Sequence, residues 1–166
     1  AASIEVCPGV KGLKLAASYY DGNYMLNENE VEKDNAERNR LTFGGKYENG
    51  KLTVRSEYIY GETGMGDRKA GEYYLLESDG FYVAAGYWFN YTCKKTGLQH
   101  KIRPVARYDF FREDITEINT NSTYYMVGVD WWPMQNLRLL VNYTLKDKVA
   151  NDNFGHLFQA QLSVKF

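Results

Sequence analysis

The chain has 166 residues, a formal net charge of −1, two cysteines, and fifteen Tyr against three Pro. That length with no break in composition makes 1–166 a single domain. The longest stretch free of Asp, Glu, Lys and Arg, Gly80 to Cys93, is too short to cross a bilayer as a helix, so a helical membrane protein is excluded.

Residues 1–6 read as the tail of an upstream strand, Ser3-Ile4-Glu5-Val6, followed by a short turn at Pro8-Gly9-Val10-Lys11-Gly12. The N-terminus shows neither Met nor the basic-then-apolar pattern of a leader, so either a leader has been removed or upstream sequence is missing. Eight segments then alternate apolar and polar side chains and are rich in strand formers: 10–20, 39–48, 51–60, 81–91, 99–111, 122–131, 137–146 and 156–166. None has a helical period. Asn49-Gly50 between two such segments predicts a two-residue hairpin turn.

The connectors divide by length, and the two classes alternate along the chain. Short ones lie at Asn49-Gly50, 92–98 and 132–136, and long ones at 21–38, 61–80, 112–121 and 147–155. In an antiparallel meander this trims one end of the sheet and elaborates the other, as in an outer-membrane barrel with short periplasmic turns and longer external loops. The long segments carry a net charge of −10 and the remainder +9, which together give the −1 of the whole chain. Cys7 and Cys93 fall in non-adjacent turns at the trimmed end, too far apart for a disulfide.

Successive side chains of a strand leave opposite faces, and a Lys or Arg facing lipid at the midplane costs about 2–4 kcal/mol, so the uncharged parity of each strand is its lipid side. This puts Leu52, Val54, Ser56, Tyr58 and Tyr60 outside, with Ile102, Pro104, Ala106, Tyr108 and Phe110, and with Leu137, Leu139, Val141, Tyr143 and Leu145. Nine bases fall on the other, inner face: Lys14, Arg40, Lys46, Arg55, Arg103, Arg107, Arg138, Lys146 and Lys165. Four acids share it, Glu48, Glu57, Asp109 and Asp130. Unmatched cations lining an aqueous tube attract small anions. The competing reading has Arg107 pairing with Asp109, or Arg55 with Glu57, merely to fill the interior. The expected membrane-interface aromatics are Tyr19, Tyr47, Tyr58, Tyr60, Tyr108, Phe110, Trp131, Tyr143, Phe158 and Phe166. Segment 81–91 is uncharged on both faces, so parity leaves open whether Tyr87 or Trp88 meets lipid. Pro104 lacks a ladder donor and marks an edge or a bulge.

Other chemistries find little support in the sequence, which implies no enzyme, no cofactor and no metal site. Asp21 to Glu32 places oxygens at several calcium-loop positions but has Met25 at the fifth, no Gly at the sixth and no flanking helices. His100 and His156, the two imidazoles, sit at strand ends on opposite sides of the sheet, with no nucleophile elbow or zinc spacing around them. Inward bases and acidic loops also disfavour nucleic acid.

The run Lys101-Ile102-Arg103-Pro104-Val105-Ala106-Arg107-Tyr108-Asp109 is followed by Tyr125 to Pro133, by Asn136-Leu137-Arg138-Leu139, and by a terminus from Gln159 to Phe166 that alternates and ends on an aromatic. Together these resemble the C-terminal part of the phosphate-selective porins O and P, in general flavour the versions of Bacteroidetes-like bacteria. The likeness is most specific over the last hundred residues. It implies a trimeric, sixteen-stranded, all-β, antiparallel up-and-down transmembrane barrel in the bacterial outer membrane, in contact with lipid and lipopolysaccharide, passing phosphate, polyphosphate or other small anions by diffusion. The chain is about half the length that the resemblance implies, so a C-terminal portion with eight strands and a stub is expected. Two alternatives stay open: a small filled eight-stranded outer-membrane barrel with a structural or adhesive role, and a soluble ligand-binding β-barrel.

Overall fold

The computed structural model describes residues 1–28, 31–66, 72–148 and 153–165, and these form one antiparallel sheet. Its strands are β1 (Ala2–Val6), β2 (Leu13–Glu28), β3 (Val31–Glu48), β4 (Leu52–Gly66), β5 (Tyr73–Tyr87), β6 (Phe89–Thr92), β7 (Gln99–Arg112), β8 (Asn121–Met134), β9 (Leu137–Lys148) and β10 (Asn153–Val164). Each strand pairs with its neighbours in sequence, except that β5 and the short β6 both pair with β7 and act as one broken strand. The sheet is open, with β1 and β10 as its two edges. The architecture is all-β and up-and-down, as the alternation predicts.

The short turns are where the sequence puts them. Asn49 Oδ1 accepts the Leu52 amide at 2.9 Å, and Gly50 takes φ +84°, a conformation that costs other residues steric strain. The long connectors differ from expectation. Segments 21–38 and 61–80 are, over most of their described residues, paired strand: Asp21 pairs with Asn39, Glu28 with Val31, Glu62 with Glu77 and Gly66 with Tyr73. Above a bilayer both faces of a sheet meet water, so the apolar/polar alternation fades while the backbone ladder runs on. One consequence is that the calcium-like stretch from Asp21 to Glu28 is strand rather than loop. The connector between β7 and β8 is irregular as expected, and 149–152 lies outside the described residues.

Pro104 falls where the ladder breaks. Pairing of β5 with β7 ends at Gly86↔Val105 and resumes as β6 at Phe89↔Ile102. The missing proline N–H is thereby skipped, and the Trp88 amide donates instead to the Lys51 carbonyl at 2.8 Å. Tyr87 takes the apolar face opposite Leu52, while Trp88 lies under the Arg103 guanidinium on the polar face, its ring centroid 4.6 Å away. Both cysteines are free thiols.

The ladder row Glu48–Thr53–Gly86–Val105–Gly128–Asn142 starts beside the Asn49-Gly50 turn and ends five residues beyond Leu137, at the start of β9. The stagger is about one residue per strand, which at a rise of about 3.3 Å and a spacing of about 4.8 Å tilts the strands by roughly 35°.

One face carries Leu13, Leu15, Ala17 and Tyr19 on β2, Leu41 to Tyr47 in alternation on β3, and the corresponding positions of every later strand. Between Leu52 and Tyr60 on β4 this face holds no Asp, Glu, Lys or Arg, and neither do the partners of Leu52 to Tyr58 on β3, β5 and β7; Asp79, opposite Tyr60, and its own partner Arg112 mark the upper edge. The band spans about 22 Å at that tilt, close to the roughly 25 Å apolar belt of a membrane barrel. At its upper edge the rows change character abruptly. Tyr19, Leu41 and Tyr60 are followed, one same-face step on, by Asp21, Asn39, Glu62 and Glu77. The Tyr60 hydroxyl reaches up to Glu62 and Glu77 at 3.0 and 2.9 Å, and that of Tyr58 to Asp79 at 3.2 Å. Rings in the apolar band with hydroxyls in the polar zone are the arrangement that tyrosine favours at a membrane interface.

Among the described residues the buried apolar side chains are Leu26 and Ala36, in a small cluster with Tyr24 and Tyr73 on the strand extensions. The large hydrophobics of the band, Phe43, Val83, Val127 and Phe158 among them, are exposed. Among the described residues nothing of the chain's own covers this apolar face.

Candidate functional site: a cationic face opposite the apolar band

Antiparallel partners share a face, so the register itself locates the basic residues. Lys14 pairs with Lys46 and Lys46 with Arg55. Arg55 stands opposite Ala84 and Ala84 opposite Arg107, while Arg40 pairs with Gly61 on the same side. Arg103 pairs with Asp130, Lys146 with Tyr124, and Arg138 with Ser163; Lys165 continues that register, its backbone N–H donating to the Asn136 carbonyl at 2.9 Å. All nine thus lie on the face opposite the apolar band. Of the aromatics assigned to the other face, Tyr19, Tyr47, Tyr58, Tyr60, Tyr108, Phe110, Trp131, Tyr143 and Phe158 occupy it. Phe166 lies outside the described residues.

Two further cations share the basic face. Lys101 has the parity of Arg103, and Asn90 and Trp132 are its partners. Arg38 pairs with Gly22 and Thr63 and lays its guanidinium 4.7 Å from the Tyr24 ring. The two-residue step from Arg38 to Arg40 was a usable signal, hidden because the segment reads as loop. Lys101 stood at a strand end where parity is easily dropped. Set against five acids, the four expected and Glu5 from β1, these eleven bases leave a surplus of six.

These cations are held in different ways. Asp130 is 1% exposed and accepts from Arg103 Nη2 at 2.8 Å, from Arg138 Nε and Nη2 at 2.8 and 3.0 Å, and from Trp132 Nε1 at 3.0 Å. The carboxylate fixes two guanidiniums and leaves the cluster with one net positive charge. Arg107 grips Asp109 through Nε at 2.9 Å to both oxygens and lies 4.3 Å from the Tyr82 ring. Lys14 pairs with Glu5 at 2.7 Å, and Lys46 with Glu48. Arg107 and Asp109 therefore do pair, within one strand, whereas no ion pair joins Arg55 to Glu57. Arg40, Arg55, Lys146 and Lys165 have no carboxylate partner among the described residues; the Lys146 ammonium sits 4.9 Å from the Tyr124 ring.

Curvature brings some of these groups together. A hollow of about 380 Å³ is lined by Arg55, Arg103, Arg107 and Arg138, with Thr53 and Asn142 among its other walls. A second, of about 390 Å³, joins Lys14, Lys46 and Arg55 with Glu5 and Glu57. Four guanidiniums around one hollow, two of them positioned by a shared buried carboxylate, present hydrogen-bond donors in fixed directions toward an oxyanion. Lys146 and Lys165 stand apart from both hollows. Among the described residues no cluster of three His, Cys, Asp or Glu forms a metal centre.

No curated protein and no solved structure matches the chain. An uncharged apolar band flanked by tyrosines, an open up-and-down sheet and a cationic opposite face describe the wall of a membrane barrel. In agreement, residues 21–166 match the family model of phosphate-selective porin O and P, and the chain belongs to that family of outer-membrane porins.

Proposed function

We propose that the cationic face lines the lumen of a passive diffusion channel that favours anions, phosphate or polyphosphate among them, and that the chain does no chemistry and needs no cofactor. The observation that carries this reading is the surplus of six positive charges on the face opposite an uncharged apolar band. A surplus of one sign along a narrow aqueous path concentrates the opposite ion and repels its own kind. On this reading the apolar band meets outer-membrane lipid, and the row Asp21–Asn39–Glu62–Glu77 meets the lipopolysaccharide headgroup zone. A sixteen-stranded wall and a homotrimer complete the proposal. The soluble alternative requires an apolar interior and a polar exterior, the reverse of this arrangement.

The test is conductance in planar bilayers. Reconstituted protein under a salt gradient is expected to give a reversal potential of the sign set by anion flow, with inorganic phosphate reducing chloride current. A reversal potential set by cations, or a sheet that inserts and passes no ion of either sign, overturns the reading.

A further inference from the structure

Among the apolar side chains of the polar face, two stand together beside a gap. Ile59 and Phe111 are 41% and 45% exposed, and both stand in one ladder row on either side of Gly80. The missing side chain at Gly80 opens a trough between them; a Cβ there would lie 2.8 Å from the Phe110 carbonyl oxygen and 3.2 Å from the Phe111 ring. The trough belongs to a cavity of about 700 Å³, lined by Arg40, Glu57, Ile59, Tyr82, Phe111 and Tyr124 among others. That size is within the roughly 300–1,000 Å³ usual for small-ligand sites.

Charge decides what the trough fits. Arg40 lies one same-face step toward the long strands and Arg107 two steps toward the short turns, while Glu57 and Asp109 share the row of Tyr82. Asp79 also lines the cavity and Lys146 stands over its Tyr124 ring, so three cations and three anions balance, unlike the four-guanidinium hollow nearby. An inorganic ion of either sign gains no net attraction here and has no apolar surface to lay on Ile59 and Phe111. An uncharged ring that bears hydroxyls around its rim and C–H groups on its faces gains on both counts. Its hydroxyls donate to Glu57 and Asp109 and accept from Arg40, charge-assisted bonds stronger than neutral ones. Its apolar face lies on Phe111 and Tyr124.

We propose that this trough binds a neutral saccharide, a solute class separate from the anions of the main reading. The test is current block by maltose in planar bilayers. Maltose is expected to reduce ion current saturably, and the half-blocking concentration to rise about tenfold or more in the double variant Ile59→Ser/Phe111→Ser, equivalent to about 1.4 kcal/mol. Gly80→Leu, which fills the trough, is expected to abolish block. Reversal potentials should stay unchanged in the double variant, because no charge is altered; this separates loss of the trough from failure of the anion reading. Titration calorimetry with maltose on detergent-solubilised protein reads the site even where no current flows. Block that grows linearly without saturation, equal block in wild type and double variant, or no heat of binding overturns the proposal.

Discussion

Replacing Asp130 by Asn removes one charge while keeping the shape of the side chain. The carboxylate accepts four hydrogen bonds, one from Arg103, two from Arg138 and one from Trp132, at 2.8 to 3.0 Å. An amide offers one oxygen in place of two and turns an NH2 toward a guanidinium, so at least two of these bonds are lost. Charge-assisted bonds contribute about 1.5–3 kcal/mol each in protected settings. The Arg103 and Arg138 side chains are 27% and 34% exposed, so water recovers part of that. The expected loss is about 2–3 kcal/mol in all. Urea unfolding in lipid vesicles reads it as a lower midpoint at unchanged slope. The second readout moves the other way. Removing a negative charge raises the surplus on the cationic face from six to seven, so the anion-to-cation permeability ratio of Asp130→Asn should increase while its stability falls. Unfolding within about 0.5 kcal/mol of wild type, the range of an ordinary surface change, would refute the fixing of two arginines by one carboxylate. A falling permeability ratio would refute the placement of Asp130 on the conducting side.

Three further outcomes are expected. Val127 is 56% exposed in the middle of the apolar band, and Val127→Lys should cost about 2–4 kcal/mol in the same vesicle assay, whereas its neighbour Met126→Lys, on the other face, should stay within about 1 kcal/mol; equal costs would dismiss the assignment of faces. Gly12 and Gly50 both hold positive φ, but a Cβ at Gly12 would stand 2.0 Å from the Glu48 carbonyl oxygen, while Gly50 faces open space. Gly50→Ala should therefore cost about 1 kcal/mol and Gly12→Ala roughly 2 kcal/mol or more by urea midpoint. In the loop after β7, the Thr116 hydroxyl at 2.6 Å and amide at 2.8 Å hold the Asp114 carboxyl below the usual carboxylate range. Its folded pKa is depressed, so the contact is present above the ordinary Asp pKa and is lost as pH falls through the lowered one. The Thr116 amide shift in an acid titration should move below the normal carboxylate range, and movement within that range would contradict the contact.

The faces were readable from sequence because a period of two ties every residue of a strand to the side taken by one charged neighbour. Arg55, Arg107 and Arg138 each stand two residues from another polar position and two strands from a matching one, and the register agrees with that parity. The hairpin at Asn49-Gly50 was equally plain, since its turn needs a residue at ease with positive φ. What was hidden falls into two kinds. The extensions of β2 to β5 have water on both sides, so nothing in their composition separates strand from loop; Arg38 was missed for this reason. The ion pairs depend on diagonal reach and on which acid each base finds first. Asp130 meets Arg103 across β7 and β8 and Arg138 across β8 and β9, and no sequence spacing announces that convergence.

The two ways of holding a cation separate two tasks that a basic wall has to perform. Guanidiniums tied to Asp109 and Asp130 have fixed directions and reduced charge, so they shape the hollow more than they deepen its potential. Arg40, Arg55 and Lys146, which have no carboxylate partner among the described residues, keep their full charge and set the long-range field. On the proposed reading a passing anion is drawn by the second group and oriented by the first. A wall made wholly of unpaired bases would hold a multivalent anion too tightly to release it, since conduction needs entry and exit to be comparably easy. A wall made wholly of pairs would attract nothing. The five acids spread among eleven bases keep the face between those limits, and Asp130→Asn, by shifting that balance toward unpaired charge, should slow release of polyphosphate more than of chloride.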